Sequence, residues 1–442
     1  MATARRAFFF ASVAASALAF ASCNNQAALP EEAGYGPNPT LPEPQSSWFP
    51  TLKVADAVGW KNGEKPTAVG GGQVTAFATG LQHPRWLYEL PNGDILVAES
   101  DAPPKPEGTS GGIRGWVQGL FMKKAGSRTP SANRITLLRD KDGDGVAEVK
   151  SVFLDNLTSP FGMALIGNQL YIANADAVVR VPYVEGETKS AAAPVKVAAL
   201  PAGRNHHWTK SLVASPDGAK LYVGVGSNSN VGENGMAEED SRAAVLEIDP
   251  STGATQVFAT GLRNPVGIDW NPVTKELWVA VNERDEIGDD LVPDYMTSVK
   301  RGGFYGWPYS YFGQTVDKRV DPPRPDLVAK AIKPDYALGS HSASLGMTFV
   351  KKGGMGQAFQ AGAFIGQHGS WNRKQPVGYR VIFIPFVDGK PAGMPKPVLT
   401  GFLNEKGEAR GRPVGVLVDQ RAGLLVADDV GNAVWRLVAP TS

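Results

Sequence analysis

The stretch Gly80-Leu81-Gln82-His83-Pro84-Arg85-Trp86-Leu87-Tyr88-Glu89-Leu90 leads into Pro91-Asn92-Gly93-Asp94 and then Ile95-Leu96-Val97-Ala98. It reads as an apolar strand of about five residues, a turn, and a second apolar strand, which is hairpin chemistry. The same phrase returns from Asn156-Leu157-Thr158-Ser159-Pro160 through Gly167-Asn168 to Leu170-Tyr171-Ile172-Ala173. It returns from Ser211 through Pro216-Asp217-Gly218 to Val223, and from Gly261-Leu262-Arg263-Asn264-Pro265 through Asn271-Pro272 to Val279. Looser copies begin at Ser344-Leu345-Gly346-Met347 and at Arg412-Pro413-Val414-Gly415, the latter closing on Leu424-Leu425-Val426. A four-stranded propeller blade needs about 40 residues, so spacings of roughly 50 to 80 leave room for insertions. Six copies over residues 73–442 predict an all-β fold, a six-bladed β-propeller that leaves only short, protected strand edges. Two separate sandwiches would explain neither the repeats nor the scarcity of long amphipathic helix patterns.

Composition agrees. The 442 residues include Gly 51 and Pro 34, about 19% of the chain against roughly 12% in an average protein, as a turn-rich fold requires. With 42% hydrophobic residues there is material for a large core, so global disorder is excluded. Lys+Arg 44 against Asp+Glu 43 gives a net charge of +1. That balance carries no whole-surface footprint for nucleic acid.

Residues 1–23 read as an export signal. Arg5-Arg6 precede an apolar run from Ala7 to Ala21 that suits a signal h-region and is too short to span a bilayer. Ala21-Ser22-Cys23 resembles a bacterial lipobox, with Cys23, the single cysteine, as the lipidated residue; Phe20 departs from the usual pattern. Arg5-Arg6-Ala7-Phe8-Phe9 weakly resembles a twin-arginine signal. The expectation is an exported lipoprotein on the periplasmic side, touching membrane only through its lipid anchor. Residues 24–72 are rich in Pro, Gly, Asn and Glu and read as a tether ahead of the propeller.

A propeller's innermost strands begin beside the central channel, so residues just ahead of each copy's first strand converge on one mouth. These are His83 and Arg85, Ser159 and Phe161, His206 and His207, Arg263 and Asn264, His341, and Arg410 with Arg412. Four of the chain's five histidines fall in this set; the fifth, His368, stands in Gly366-Gln367-His368-Gly369-Ser370-Trp371-Asn372-Arg373-Lys374. Each histidine taken singly also suits a turn cap or channel filler. Several arginines at one opening make a local anion site, because guanidinium binds carboxylate or phosphate bidentately. Gly70-Gly71-Gly72 lacks the Lys-Ser/Thr of a phosphate loop, and neither a dinucleotide fingerprint nor a zinc pattern occurs. A multiply anionic, non-nucleotide ligand fits this set.

These residues carry a family resemblance. Arg263-Asn264-Pro265-x-Gly267, Asn282-Glu283-Arg284-Asp285-Glu286-Ile287 and Gly302-Gly303-Phe304-Tyr305-Gly306-Trp307-Pro308 resemble the core signature of pyrroloquinoline quinone (PQQ) dependent sugar dehydrogenases. His206-His207-Trp208-Thr209-Lys210-Ser211-Leu212, Gly226-Ser227-x-Ser229-Asn230-Val231, the His368 loop and Gly411-Arg412-Pro413-Val414-Gly415 are similar to the L-sorbosone dehydrogenase branch. The likeness covers about residues 73–438. It implies a tricarboxylated quinone on the mouth, bound by Arg263, Asn264, Arg373 or Lys374, Arg410 and Arg412, with His341 nearby. It implies Ca²⁺ held partly by the backbone carbonyls of Glu283 and Arg284. His207 matches the family's base, His206 being the alternative, and a sugar or sugar aldehyde is the implied substrate. With no C-x-x-C-H haem motif, electrons leave to a separate acceptor, a cytochrome or membrane quinone.

Two competing functions are a calcium-dependent lactonase or related hydrolase, whose propeller metal sites are lined by Glu, Asn and Asp, and a non-catalytic binding propeller. Two further features stand apart. Asp140-x-Asp142-x-Asp144-Gly145 copies half an EF-hand loop but has Ser151 at its twelfth position, so a polar turn is the first reading and Ca²⁺ the second. The insertion from Asp101 to Arg134 carries Lys105, Arg114, Lys123, Lys124 and Arg128 around Trp116 and Phe121. It reads as a solvated loop, or more sharply as a lid or a dock for an electron acceptor.

Overall fold

The computed structural model describes residues 27–45, 53–104, 129–351 and 354–440. Six antiparallel sheets follow one another in chain order around an axis. Their innermost strands are Pro84–Glu89, Met163–Ile166, Lys210–Ala214, Pro265–Trp270, Ser344–Phe349 and Pro413–Val418. Each inner strand leads a meander outward through a second, third and fourth strand, so the expected six-bladed propeller is what forms. The ring closes through the chain's first long strand, Gln73–Thr79, which becomes the outer strand of the sixth blade against Ala433–Val438. Only one short α-helix, Pro325–Val328, occurs among the described residues.

The recurring glycine of the repeat has a steric cause. Inner strands of neighbouring blades meet at the axis, where no side chain fits between them. A Cβ on Gly162 would lie 2.1 Å from the backbone nitrogen of Leu212, and one on Gly346 would lie 2.0 Å from the carbonyl of Val414. Inner strands one, four, five and six also begin with a register shift, a bulge that re-aims the residue beside the mouth. Just ahead of the inner strands, His83, Ser159, Asn205 and His341 take left-handed backbone. Non-glycine residues adopt that geometry at a cost of about 1 kcal/mol or more, and it clusters at functional sites.

The segment read as a tether is instead a strap on the propeller. Tyr35–Gly36 adds a fifth strand to blade four, and Thr67–Ala68 adds one to blade five. Between them, Val58 donates to the Ala409 carbonyl and the Trp60 indole donates to Asp428 Oδ2 at 2.7 Å. The Trp60 ring also meets Phe402 and Trp435 edge to face. The polar composition concealed three apolar anchors, Tyr35, Ala55 and Trp60, and exposed blade edges need covering. The export signal with Cys23, and residues 105–128 of the insertion, lie outside the described residues.

Asp140, Asp142, Asp144 and Glu148 do gather, with ligand atoms within 4.8 Å of one another, at an exposed turn of blade one. Arg421 from blade six already pairs with Asp140 at 2.8 Å, and backbone amides of Gly143 and Gly145 occupy its oxygens. A polar turn accounts for the motif.

Candidate functional site

The mouth is built from two sets of connections. One set enters each inner strand; the other joins each second strand to its third. Sequence reasoning found the first set and, of the second, singled out Glu283, Arg284 and the His368 loop with Arg373 and Lys374, but not the aspartates that the second set supplies.

Blade four shows how tightly the two sets lock. Arg263, 2% exposed, donates to the Glu283 carbonyl at 2.5 Å, the Asn282 carbonyl at 3.2 Å and Asn230 Oδ1 at 2.9 Å, and pairs with Asp285 at 3.4 Å. Asp285 in turn takes a hydrogen bond from Asn372 Nδ2 at 2.7 Å and faces His341 Nδ1 at 3.2 Å. His341 Nε2 faces the Gly288 carbonyl at 2.8 Å. Burial pulls the His341 pKa down, but the Asp285 carboxylate and that carbonyl outweigh it and raise it above 6.5. With an acceptor at each ring nitrogen, His341 behaves as a structural cation.

The Arg284 side chain turns into the protein rather than to the mouth. Fully buried, it donates to the carbonyls of Pro308 and Ser310, each at 2.7 Å, and pairs with Glu283 and Asp317. It staples the loop that carries Asp285 to the segment holding Gly302–Pro308. Glu283 contributes its carbonyl, but to Arg263. A divalent cation on that carbonyl would sit against a guanidinium, so the residues expected to hold Ca²⁺ do not fit it as they stand.

His207 lies on the third blade. Its Nδ1 sits 2.9 Å from the Ser227 carbonyl and 3.1 Å from Ser227 Oγ. A carbonyl only accepts, so the proton rests on Nδ1 and Nε2 keeps its lone pair. Burial first, then the charges of Arg263 and His206, hold the His207 pKa well below 6.5, so the ring is neutral. Gly226 makes the approach possible: a Cβ there would lie 2.4 Å from both His207 Cβ and Asn264 Oδ1. Asn264 Oδ1 is buried without a hydrogen-bond partner among the described residues. His206 is exposed and stacks edge to face on His207, ring centroids 4.6 Å apart.

The fifth and sixth blades differ. Arg412, 2% exposed, makes no ion pair among the described residues. Its Nη atoms reach the Gly369 and Ala55 carbonyls only at 3.5 Å, its Nε has no partner, and its guanidinium lies 4.7 Å over the Tyr379 ring. Asp429 gathers Arg85, His83 and His368. Arg373 pairs with Asp290 at 3.3 Å, keeping an unpartnered Nε. Lys374 is exposed, and Arg410 turns to Glu64 of the strap at 3.4 Å. Phe161 is a plug, stacked between Trp86 and Trp208.

The arginine-rich mouth is therefore largely neutralised from within: Arg85 by Asp429, Arg263 by Asp285, Arg373 by Asp290. Arg412 keeps its charge. The missed residues are Asn230, Asp285, Asn372 and Asp429. Asp429 had a signal, since Asp428-Asp429 follows the second strand of the sixth copy.

A family model described as TrAA12-like matches residues 327–439. Among curated proteins, an uncharacterized protein of Borreliella burgdorferi is 29% identical over 293 residues, 64% of this chain and 76% of that protein. A "pyrroloquinoline quinone-dependent pyranose dehydrogenase" of Coprinopsis cinerea is 24% identical over 41% of this chain, a match spanning 30% of that enzyme. Among solved structures, a Trichoderma reesei carbohydrate-active enzyme of family AA12 superposes with a TM-score of 0.69 at 19% identity, covering 89% of this chain and all of that one. The PQQ domain of the Coprinopsis cinerea pyranose dehydrogenase gives 0.66 at 19%, covering 87% and 100%. The PQQ-bound aldose sugar dehydrogenase of Streptomyces coelicolor gives 0.54 at 17%, covering 84% and 99%. Identities this low speak to the fold. A further family model covers residues 91–370, and by that match the chain belongs to the family described as a domain of unknown function (DUF7133).

Proposed function

We propose that this protein is a quinoprotein dehydrogenase that oxidises a sugar or sugar aldehyde and passes the electrons to a separate acceptor. The observation that carries the reading is Arg412, a buried guanidinium without an ion pair among the described residues; Arg373 Nε is likewise buried and unpartnered. Buried cations are ordinarily paired, and a carboxylate-bearing ligand supplies the missing partner. PQQ, named in several fold neighbours, brings three carboxylates. On these residues the fit is good for Arg412 and Arg373, while Asn264 Oδ1, an acceptor, suits an N–H or O–H of the ligand rather than a carboxylate. It is poor for Arg410 and for Arg263, whose donors are spent inside the protein.

When bound, PQQ supplies the hydride acceptor; the chain supplies orientation and proton handling. His207 Nε2 takes the proton of the reacting hydroxyl while the Ser227 carbonyl keeps the proton on Nδ1. Arg412, and Arg373 through its free Nε, hold the ligand's carboxylates. For an aldose the reacting group is the anomeric hydroxyl. For a sorbosone-like aldehyde it is a hydroxyl of the hydrate or cyclic hemiacetal. The hydrolase reading needs free carboxylates around a metal, and Asp285, Asp290 and Asp429 are each paired with an arginine. Export, a lipid on Cys23 and a cytochrome or quinone acceptor belong to the same proposal.

Reconstitution tests it. Purified protein titrated with PQQ should acquire a bound-quinone spectrum and reduce a dye with aldoses or sorbosone. His207→Ala should bind PQQ like the parent and lose at least about a hundredfold in turnover, the usual scale of one positioned base. Unchanged turnover in that variant sinks the base assignment, and no PQQ binding by the parent sinks the whole reading.

A further inference from the structure

Asp429 is the meeting point of three side chains, His83 and Arg85 from the start of the first inner strand and His368 from a connection of blade five. Its Oδ2 receives Arg85 Nη1, lies 2.9 Å from His368 Nε2 and lies 3.6 Å from His83 Nε2. The carboxyl is 2% exposed. Burial favours its neutral form, but His368, His83 and Arg85 outweigh burial and hold its pKa well below the carboxylate range. An ionised oxygen facing Nε2 requires the proton of a neutral His368 ring to sit on that nitrogen. The ring is neutral: burial first, then Arg412 and Arg85, outweigh Asp429 and lower its pKa to about 4. Its lone pair is thus on Nδ1, and Nδ1 has no hydrogen-bond partner among the described residues. The side chain keeps 14% exposure.

We propose that His368, oriented by Asp429, is a second proton-accepting nitrogen at the mouth and takes a hydrogen bond from a hydroxyl of a polyhydroxylated substrate. The two histidines are set in opposite tautomers. His207 has its proton on Nδ1 by a carbonyl and offers Nε2; His368 has its proton on Nε2 by a carboxylate and offers Nδ1. They also differ in what a proton would meet. A charge arriving on His207 faces Arg263 and His206, whereas one arriving on His368 faces Asp429 together with Arg412 and Arg85. His207 suits transient acceptance in the reaction, and His368 suits holding a second hydroxyl in place. A pyranose or an open-chain sugar carries more than one hydroxyl to offer to such acceptors. The substrate class rests on the dehydrogenase reading; the tautomer does not.

Nitrogen-15 NMR of histidine in the cofactor-free protein reads the tautomers directly. The expected result is Nε2–H for His368 and Nδ1–H for His207 in one spectrum at pH 7. Asp429→Asn should lower the His368 pKa further and mix its tautomers, with the fold checked by circular dichroism. In the PQQ-loaded protein, His368→Gln should raise the sugar KM roughly tenfold, the scale of one neutral hydrogen bond, with kcat changed less than threefold. An Nδ1–H tautomer for His368, or a tautomer indifferent to Asp429→Asn in a folded variant, overturns the orienting pair. An unchanged KM in His368→Gln overturns the substrate contact. Failure to bind PQQ leaves the tautomer result standing and counts against the dehydrogenase reading instead.

Discussion

Arg263 and Arg412 stand at neighbouring places in the repeat, two residues and one residue ahead of the first strand of the fourth and sixth copies, and both are 2% exposed. Their surroundings are opposite. Arg263 spends its donors on two carbonyls, Asn230 and Asp285, and organises the loop above it. Arg412 lies on a tyrosine ring with two contacts at 3.5 Å and no ion pair among the described residues. A buried charge that is fully satisfied is part of the framework; one that is not is available to a ligand. The same residue type at neighbouring repeat positions thus serves two purposes.

The largest expected effect breaks the framework side. Arg263→Ala strips the half-buried Asp285 and Asn230 Oδ1 of their guanidinium, leaving Asp285 to His341 and Asn372, and should cost about 3 kcal/mol of stability. Chemical denaturation of the cofactor-free protein measures it. Arg412→Ala should cost about 1 kcal/mol or less in the same assay, because it forfeits no ion pair, yet weaken PQQ binding by roughly one to two decades. If the two variants exchange behaviours, the contrast between the walls is wrong.

A smaller effect concerns acid. The His207 base must be neutral to work, and its pKa is lowered well below 6.5. A lowered pKa means protonation only in more acid solution, so kcat/KM of the loaded enzyme should stay level from pH 8 down to about 6.5 and fall only below that. A fall centred above 6.5 would contradict the neutral ring. The smallest expected effect is of metal removal: because Arg263 occupies the Glu283 carbonyl, EDTA should shift PQQ affinity by less than about threefold. A loss of a decade or more, restored by Ca²⁺, would mean that Arg263 gives way to a metal when the cofactor binds.

Much of this was legible in the residues. Strand, turn and strand recur because each blade solves the same packing problem, and apolar runs such as Leu424-Leu425-Val426 announce it locally. The axis glycines Gly162 and Gly346 follow from the same geometry. The strap was misread because its anchors are few and dispersed in a polar, proline-rich segment. The carboxylates Asp285 and Asp429 were missed because nothing local in the loops after the second strands shows which arginine or histidine each will meet.

The sequence by itself determined the blade count, the face on which polar groups converge and the residue types found there, since these depend on periodicity within some tens of residues. Only the tertiary structure decided which charges cancel. Asp429 meets Arg85 across 344 positions of chain and Asn372 meets Asp285 across 87. Ring closure sets the first of these meetings and the packing of neighbouring blades the second. Whether an arginine is a framework cation or an open ligand site depends on a partner within about 4 Å, and nothing local in the chain encodes that distance.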